Sequence, residues 1–424
     1  MSGTNQKIQS IKTHEGAKAK NISLVSQLRR SVMSCMLWEN SFYEQGQSIS
    51  ARIAELCRQV DKREVQKLAL EAKHDMGIRH NPLWMAVSAK IFYREFLVKL
   101  ITRPDDMAEI LAMYWLDGKK PIPKQMKLAF SDKLNQFDGY QLAKYRGLSK
   151  DIKLKDIIRL IHPSPVDADH ARWFDGVVND SIQAPDTWET ALMTGGDKKE
   201  TFERLISDRK LGALAMLRNL RNMKQAGVGN IRDGLESMKC RKILPFQFIN
   251  SARYAPEYED VIEKKMLEAV EGFGKLPGKT VILVDVSGSM DSNISGKSEI
   301  RRDSAAGGVA IMAREICEEV AIFAFGTNVY EIPNRRGFAL SDLLRAKNEG
   351  TNLGGAVSLI NETQEYDRII VITDEQSRTS VPDPKGVAYL VNVSCEKNGV
   401  GYYSWTHIDG WSPSVLKYIM ENER

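Results

Sequence analysis

Five oxygen-bearing side chains in the C-terminal third of the chain could together bind a divalent cation. Asp285, Ser287 and Ser289 follow an apolar run in the spacing D-x-S-x-S, Thr351 lies in "GTNLGG", and Asp374 ends "RIIVITD". Carboxylates and hydroxyls form an all-oxygen donor set, which hard cations such as Mg²⁺ accept while keeping several waters. We therefore predict metal ligation by these five residues, with Mg²⁺ preferred and Mn²⁺ or Ca²⁺ as alternatives. Neutral hydroxyl ligands leave the metal positive, so an acidic protein ligand could complete its coordination.

Two other interpretations of the same stretch stay open. "SGKS" at 295–298 matches the end of a phosphate-binding loop, but Asp291 stands where the first glycine of that loop belongs. The D-x-S-x-S residues could instead cap a helix, because Asp and Ser do so routinely. Thr351 and Asp374 favour the metal site over both, since they also follow predicted strands or lead into a helix.

The elements that would position these residues form an alternating pattern after about residue 275. Short apolar runs predict strands in "TVILVDVS", "VAIFAFGT", "RIIVITD" and "GVAYLVNV". Helical segments lie between them, in "IRRDSAAGGVAIMAREICEE", "LSDLLRAKN" and "LGGAVSLINETQ". Buried strands that alternate with helices indicate a doubly wound, mostly parallel α/β sheet, whose ligands bind beyond the carboxyl ends of the strands. "GKLPGK" at 274–279 is predicted to be a linker before this domain.

The first 270 residues predict one helix after another, joined by short loops that carry turn residues. Apolar residues recur at helical spacing in segments such as "SLVSQLRRSVMSCMLW", "SISARIAELCRQV" and "PLWMAVSAKIFYREFLVKLI". Because each helix pair must bury its apolar face against the next, the pattern predicts a helical array. No strict period is visible, so the repeats are predicted to be degenerate, of HEAT or armadillo type. We divide the chain into a flexible N-terminus (1–20), a helical domain (21–273) and an α/β domain (274–424).

Charge is distributed unequally between these parts. The chain carries 60 Lys and Arg against 55 Asp and Glu, a net charge of +5. Residues 271–424 hold 16 Lys and Arg against 21 Asp and Glu, a net charge of −5, which leaves +10 for residues 1–270. A basic surface for an acidic partner such as nucleic acid would therefore belong to the helical part.

One helical block, residues 124–159, is especially basic and interleaves two tyrosines, Tyr140 and Tyr145. An aromatic ring beside lysines can stack an unpaired base while the ammonium groups meet phosphates, although solvated lysines around core tyrosines would give the same sequence. A second candidate lies in "RKLGALAMLRNLRNMK", near Lys224. The predicted RNA-binding residues are Lys124, Lys127, Lys133, Lys144, Arg146, Lys150, Lys153, Lys155, Arg159, Arg218 and Arg221.

Several function classes are disfavoured. The six histidines are scattered, neither G-x-S-x-G nor H-E-x-x-H occurs, and we expect no enzyme. Five cysteines without a CxxC pair suit a reducing cytosol better than a disulfide framework, so we expect a cytoplasmic protein. No apolar run reaches the roughly 18 residues of a membrane span, and the polar N-terminus does not suggest a signal peptide. We therefore expect no membrane partner and a monomer.

The residues now introduced carry a resemblance to two known modules. "VILVDVSGSM", the Thr351 loop and "VITDEQS" resemble the metal-ion-dependent adhesion site of von Willebrand factor A domains, and all five ligand positions match. The helical part resembles the TROVE module of the Ro autoantigen family. The matching blocks run in order as "LRRSVMSCMLWENSFYEQGQSI", "HNPLWMAVSAKI", "YQLAKYRGLSKDIKLKDIIRLIHPSP", "ALAMLRNLRNM" and "ILPFQFINSARY", and "GYYSWTHIDGWSPSVLKYIM" extends the resemblance to the C-terminus.

The resemblance is to a member of bacterial or phage type, and it implies a ribonucleoprotein in which a ring of HEAT-like repeats is closed by a Rossmann-like von Willebrand factor A domain. It further implies that the outer surface binds Y RNA, that a central hole takes single-stranded 3′ ends of misfolded noncoding RNA, and that exoribonucleases are partners in RNA quality control, maturation or decay. Leu154 departs from the family, many members of which have a histidine there, and this puts Y-RNA specificity in question. The alternative hypothesis is a metal-dependent protein-interaction scaffold without RNA specificity.

Overall fold

The computed structural model describes most of the chain, in two compact units. The described ranges are 23–33, 46–146, 152–183, 185–193, 196–240, 243, 245–271, 274–293, 301–374, 377–394, 404–411 and 414–423. Those within Gln47–Leu211 form one unit, and those within Met1–Gly46 and Gly212–Arg424 form the other. The N-terminus predicted to be flexible, residues 1–20, lies outside the described residues.

The unit Gln47–Leu211 is helical throughout its described part, as the apolar periodicity predicts. Its helices are α2 (Gly46–Gln59), α3 (Lys62–His74), α4 (Asn81–Ser88), α5 (Arg94–Leu100), α6 (Pro104–Tyr114), α7 (Lys124–Leu134), α8 (Gly139–Tyr145), α9 (Leu154–Ile161), α10 (Ala168–Val178), α11 (Trp188–Met193) and α12 (Lys198–Ser207). Each packs on near neighbours: α3 against α4 and α5, α5 against α7, and α6 against α4, α8 and α9. Short helices that bury their faces on neighbours in sequence form the predicted helical array.

The helix predicted over 82–101 is in fact two helices, α4 and α5. The chain turns at Lys90, whose φ of 54° lies in the left-handed region. The amide of Ile91 donates to the carbonyl of Ala86 over 2.9 Å, which closes α4. Ile91, just after the turn, and Phe96 of α5 are both buried. The turn thus allows the apolar residues of both helices to be buried, which favours two helices over one continuous helix.

The second unit combines helices with one sheet. Before the sheet come α1 (Leu24–Met33), α13 (Ala213–Gln225), α14 (Ile231–Ser237), α15 (Pro245–Tyr254) and α16 (Glu259–Glu268). Within and after it come α17 (Arg302–Ile316), α18 (Gly337–Leu343), α19 (Leu353–Thr363) and α20 (Ser414–Asn422). Helix α15 packs on α13, α16 and α17, so the last helices of the predicted helical domain lie against the first helix of the α/β part.

Six strands of the described residues form one mixed sheet. They are β1 (Leu276–Asp285), β2 (Cys317–Phe325), β3 (Val329–Ile332), β4 (Arg368–Thr373), β5 (Val387–Asn392) and β6 (Thr406–Asp409). The strand order is β3-β2-β1-β4-β5-β6, and every neighbouring pair is parallel except β2 with β3. The mostly parallel sheet predicted from the sequence is therefore confirmed.

Both faces of the sheet are covered, which explains the nearly continuous apolar runs of its strands. Helix α17 packs on β1, β2 and β4, and α19 contributes Leu353, Val357 and Ile360 to the cluster on the face of Val281 and Leu283.

The linker predicted at 274–279 is wrong from Leu276 onward, because β1 begins there. Leu276 pairs with Cys317 of β2, and the Lys279 amide donates to Asp367 Oδ2 over 2.7 Å.

Among the helices that the structure describes, none combines the length and the apolar character that crossing a membrane requires.

Candidate functional site

The predicted metal ligands from the strands meet where the strand order reverses. Strand β1 lies between β2, the next strand in the chain, and β4, so the switch point of the sheet is at the carboxyl ends of β1 and β4. Asp285 is the last residue of β1, and Asp374 directly follows β4. Both side chains are fully buried. Open parallel sheets bind ligands at this position, which places the two carboxylates in the expected crevice.

The Asp285 carboxylate is held from both sides by neutral donors. Its Oδ1 accepts a hydrogen bond from the Ser287 amide at 2.9 Å, and its Oδ2 accepts one from Thr373 Oγ1 at 2.6 Å. Burial, and next the charge of Asp374, raise the pKa of Asp285 to about 7, although these two hydrogen bonds oppose the shift. A nearby positive charge would stabilise the ionised form of this buried carboxylate. Thr373, which ties β1 to β4, is a site residue that the sequence analysis missed.

The hydroxyl groups of the two serines lie within hydrogen-bonding distance of each other. Ser287 Oγ and Ser289 Oγ are 3.2 Å apart, and Ser287 is buried while Ser289 is half-buried. Ser287 precedes a short 3₁₀ turn, Gly288–Asp291, but its side chain makes no cap hydrogen bond there. The structure thus gives no support to the helix-cap interpretation at Ser287, and the hydroxyls remain at the sheet edge with Asp285.

Thr351 reaches the same edge through a loop that is tied to the strand end. The Lys347 amide donates to the Val286 carbonyl at 2.6 Å, and the Gly288 amide donates to the Glu349 carbonyl at 2.9 Å. Thr351 itself is buried and lies just before α19. The loop leading into a helix, which "GTNLGG" predicts, is therefore present.

Arg302 adds a positive charge that the sequence analysis did not foresee. It is the first residue of α17, and its Nη1 donates to Asp374 Oδ2 over 3.0 Å. The exposed fractions of the two side chains are 2% and 0%. Of the two carboxylates at this edge, Asp374 therefore has a buried guanidinium beside it, whereas the neutral donors around Asp285 are Ser287 and Thr373.

The donor set suits a hard divalent cation. Carboxylate and hydroxyl oxygens are ligands of Mg²⁺. A bound cation would also offset the free-energy cost of burying the ionised Asp285 carboxylate. Asp285, Ser287, Ser289, Thr351 and Asp374 are the residues that would hold it. Within the described ranges no group of three or more His, Cys, Asp or Glu side chains is arranged to bind a metal. A cation here would therefore depend on the serine and threonine hydroxyls.

The cations of the predicted RNA-binding block fall into two groups, those that are exposed and those that already interact with other residues of the protein. Lys124 and Lys127 of α7, and Lys153 before α9, are exposed. No carboxylate of the described chain forms an ion pair with these three lysines. The Lys144 ammonium lies 5.8 Å from the Tyr140 ring, and Tyr140 is 51% exposed. Tyr140 therefore offers an accessible aromatic ring with an ammonium group nearby, as stacking on a base requires.

Four other cations of the block already have partners within the protein. Lys155 pairs with Asp180 at 2.7 Å, Arg159 donates to the Val178 carbonyl at 3.2 Å, and Arg146 donates to the Ile182 carbonyl. Lys133 donates to Gln136 over 3.1 Å and lies 4.9 Å from the ring of Phe137. An RNA contact by these four would compete with existing partners.

The second basic candidate lies on α13 of the other unit. Arg218 and Arg221 are exposed, and the Arg221 guanidinium lies 5.7 Å from the ring of Tyr254. Lys224 pairs with Glu257 at 2.7 Å. Leu154, at the position where the family resemblance leads one to expect histidine, is buried in α9.

The turn after α6, whose backbone is held by two aromatic side chains, presents two further exposed lysines that are absent from the predicted RNA-binding set. Tyr114 Oη donates to the Pro121 carbonyl at 3.0 Å, and Trp115 Nε1 donates to the Lys120 carbonyl at 2.8 Å. Exposed Lys120 and Lys119 lie 4.4 and 5.7 Å from the rings of Tyr114 and Trp115, respectively. The signal available in the sequence was the close spacing of aromatics and lysines in "YWLDGKK".

Lys150 and the "SGKS" segment at 295–298 lie outside the described residues.

Comparisons with known proteins now bear on this arrangement. The family model of the TROVE domain matches residues 3–179 and 180–253, more than half of the chain. The crystal structure of the Deinococcus radiodurans RO (RSR) protein matches with a TM-score of 0.62 and 14% identity, covering 95% of this chain and 100% of that one. At this identity the match shows a shared fold.

Two curated relatives match over short segments. Telomerase protein component 1 of Mus musculus is 28% identical over 110 residues, 24% of this chain. The same component of Rattus norvegicus is 33% identical over 78 residues, 16% of this chain. The matched segments span only 4% and 3% of those proteins. The extent of the family match, together with the helical array, shows that the chain belongs to the TROVE domain family.

Proposed function

We propose that the protein binds noncoding RNA through exposed cations of its helices and does so without catalysing a reaction. Membership in the TROVE domain family indicates an RNA-binding protein, and the observation that carries the proposal here is the exposure of Lys124, Lys127 and Lys153 in the same helical unit as the exposed Tyr140. Exposed ammonium groups without a carboxylate partner can neutralise phosphates without first losing an ion pair. Lys119 and Lys120 on the turn after α6 extend this basic set.

The finer expectations belong to the same proposal. They are a Y-RNA-like structured ligand, single-stranded ends of misfolded RNA in a central hole, and an exoribonuclease partner in RNA quality control. Lys155, Arg159 and Arg146 would support the surface by holding α8–α10 in place rather than by meeting phosphates.

The proposal is tested by RNA binding as a function of salt. The triple variant K124E/K127E/K153E should bind more weakly, because three phosphate contacts are lost. Each contact contributes roughly 0.7 to the slope of log K against log salt for a single strand, so the slope should flatten by about 2. When the salt concentration is raised fourfold, the RNA affinity of the triple variant should therefore fall by a factor roughly 16 times smaller than the factor for the wild type.

A matched control reverses three other exposed lysines of the same unit, in K62E/K67E/K199E. This control changes the net charge equally and should leave most of the salt slope in place. Equal slopes for both triple variants would mean that net charge alone acts, and the proposed surface would then be wrong. The wild-type protein should also leave the RNA intact in Mg²⁺, since no catalytic role is proposed.

We further propose that the sheet edge binds a divalent cation, with Mg²⁺ preferred, and presents it to an acidic group of a protein partner. The support is the convergence of two buried carboxylates with buried hydroxyls at the switch point. Calorimetric titration with Mg²⁺ or Mn²⁺ should give binding that S287A/S289A removes. An unchanged isotherm for the double variant would rule out hydroxyl ligation. If the protein bound no RNA even at low salt, this metal-dependent interaction would be the remaining candidate function.

A further inference from the structure

The buried guanidinium of Arg302 has a specific consequence for the candidate metal site. Its side chain is 2% exposed, and its Nη1 lies 3.0 Å from Asp374 Oδ2. An arginine stays protonated in proteins, so this charge is permanent and cannot be lost to burial. Charged groups are rarely buried unless they are paired, because removing them from water costs several kcal/mol.

The position of Arg302 is fixed by the backbone as well as by the ion pair. Its amide donates to the Ser292 carbonyl over 3.0 Å, which joins the start of α17 to the segment that follows the D-x-S-x-S residues. Helix α17 also packs on β1 and β4, the two strands that end in the predicted ligands. The guanidinium is therefore held at the site by the same elements that position the ligands.

We propose that Arg302 is a resident counter-cation of the candidate metal site, which neutralises Asp374 in the metal-free protein and thereby weakens the binding of a divalent cation. This inference rests on the proposed metal site. A divalent ion ligated at Asp374 must either displace the guanidinium or bind within a few ångströms of a like charge. In both cases the arginine stabilises the metal-free state relative to the metal-bound one.

The proposal makes two predictions of opposite sign for Arg302→Gln. The metal-free protein should lose stability, because a buried carboxylate loses its ion-pair partner. The affinity for Mn²⁺ and Mg²⁺ should rise by at least about tenfold, because a like charge has been removed from the site. An arginine that only positions Asp374 would lower the stability and the metal affinity together, so the two readouts separate these roles.

The matched control is Arg368→Gln. Arg368 is also buried, pairs with Glu423 and donates to Thr280 Oγ1 over 2.8 Å, but it lies at the opposite end of β4 from Asp374. This variant should lose stability with unchanged metal affinity. Arg302→Lys keeps the positive charge in place and should bind metal with nearly wild-type affinity, which provides a test if Arg302→Gln does not fold.

The experiment is a calorimetric titration of the full chain with Mn²⁺ and with Mg²⁺, beside urea unfolding in EDTA. Tighter metal binding by Arg302→Gln, with lower stability in EDTA, supports the proposal. If the wild type binds metal and Arg302→Gln binds it with equal or lower affinity, the role proposed for Arg302 is wrong, but the proposed metal site still stands. Tenfold tighter binding by Arg302→Lys would also overturn the role proposed for Arg302. If neither the wild type nor Arg302→Gln binds metal, the proposed metal site itself fails, and this inference fails with it.

Discussion

The pKa of Asp285 predicts an unusual pH dependence for the metal-free protein. Burial and the charge of Asp374 raise this pKa to about 7 from the ordinary value of 3.8. Between these two pH values the folded state holds a proton that the unfolded state has lost. The free energy of unfolding must therefore fall as the pH rises through this window, because the folded state binds more protons than the unfolded state.

The size of the effect follows from the same two values. Each pH unit within the window costs about 1.4 kcal/mol of stability, so the rise from pH 5 to pH 7 costs about 3 kcal/mol, and the loss then levels off above pH 7. The variant Asp285→Asn carries an amide that does not titrate. Its stability relative to the wild type should therefore increase by about 3 kcal/mol between pH 5 and pH 8.

Urea unfolding in EDTA, at pH 5 and at pH 8, measures this difference for both proteins. Groups remote from the site titrate equally in the two, so the comparison reports on Asp285 together with Asp374, whose charge interacts with it. A difference in stability that stays constant with pH would refute the reasoning, since it would mean that Asp285 is ionised at pH 5 as well. Excess Mg²⁺ provides the control, because a bound cation should stabilise the wild type and not Asp285→Asn.

Three further predictions concern the framework around the sites. Lys73 is buried with its Nζ 3.0 Å from a buried Asp106 oxygen, so Lys73→Met should cost about 3 to 5 kcal/mol in urea unfolding, with partial recovery in Lys73→Met/Asp106→Asn. Gly278 has φ of 80° and a Cβ there would lie 2.5 Å from Asp367 Oδ2, so Gly278→Ala should lower stability by about 2 kcal/mol. Burial raises the pKa of the Cys57 thiol to about 12 and that of the Cys240 thiol to about 11. Mass-spectrometric mapping at pH 8 should therefore find both alkylated at least about a hundredfold more slowly in native protein than in urea. Burial also raises the pKa of Cys317, so its alkylation should be slower in native protein as well.

The sequence predicts the central part of the sheet because local composition and tertiary context agree there. The second halves of β1 and β2, together with β4 and β5, are largely buried and mostly apolar, so each is visible as a continuous run. Strands β3 and β6 were not predicted from the periodicity. Each has four residues and lies at an edge of the sheet, and short edge strands carry too little apolar pattern to be distinguished from loops.

Helix boundaries failed where burial overrides the apolar period. The segment 82–101 has helical spacing throughout, yet a left-handed Lys90 divides it so that Ile91 can be buried. The helix predicted over 300–319 ends at Ile316, because Cys317–Glu319 pair with β1 as the start of β2. A local pattern cannot report a strand partner that lies some 40 residues away along the chain.

The charge balance of the site shows why a ligand motif is an incomplete description. D-x-S-x-S with a later Thr and Asp identifies which oxygens converge, and the strand order explains why they do. It does not identify Arg302, which lies 72 residues from Asp374 and resembles any basic residue at the start of a solvated helix. Two buried carboxylates can be neutralised by a proton on Asp285, by the guanidinium beside Asp374, or by a cation at both. These three states exclude one another in part, because a proton or a guanidinium occupies oxygens that a cation would need. The affinity of the proposed site for metal would therefore be set by competitors within the fold as well as by its five proposed ligands.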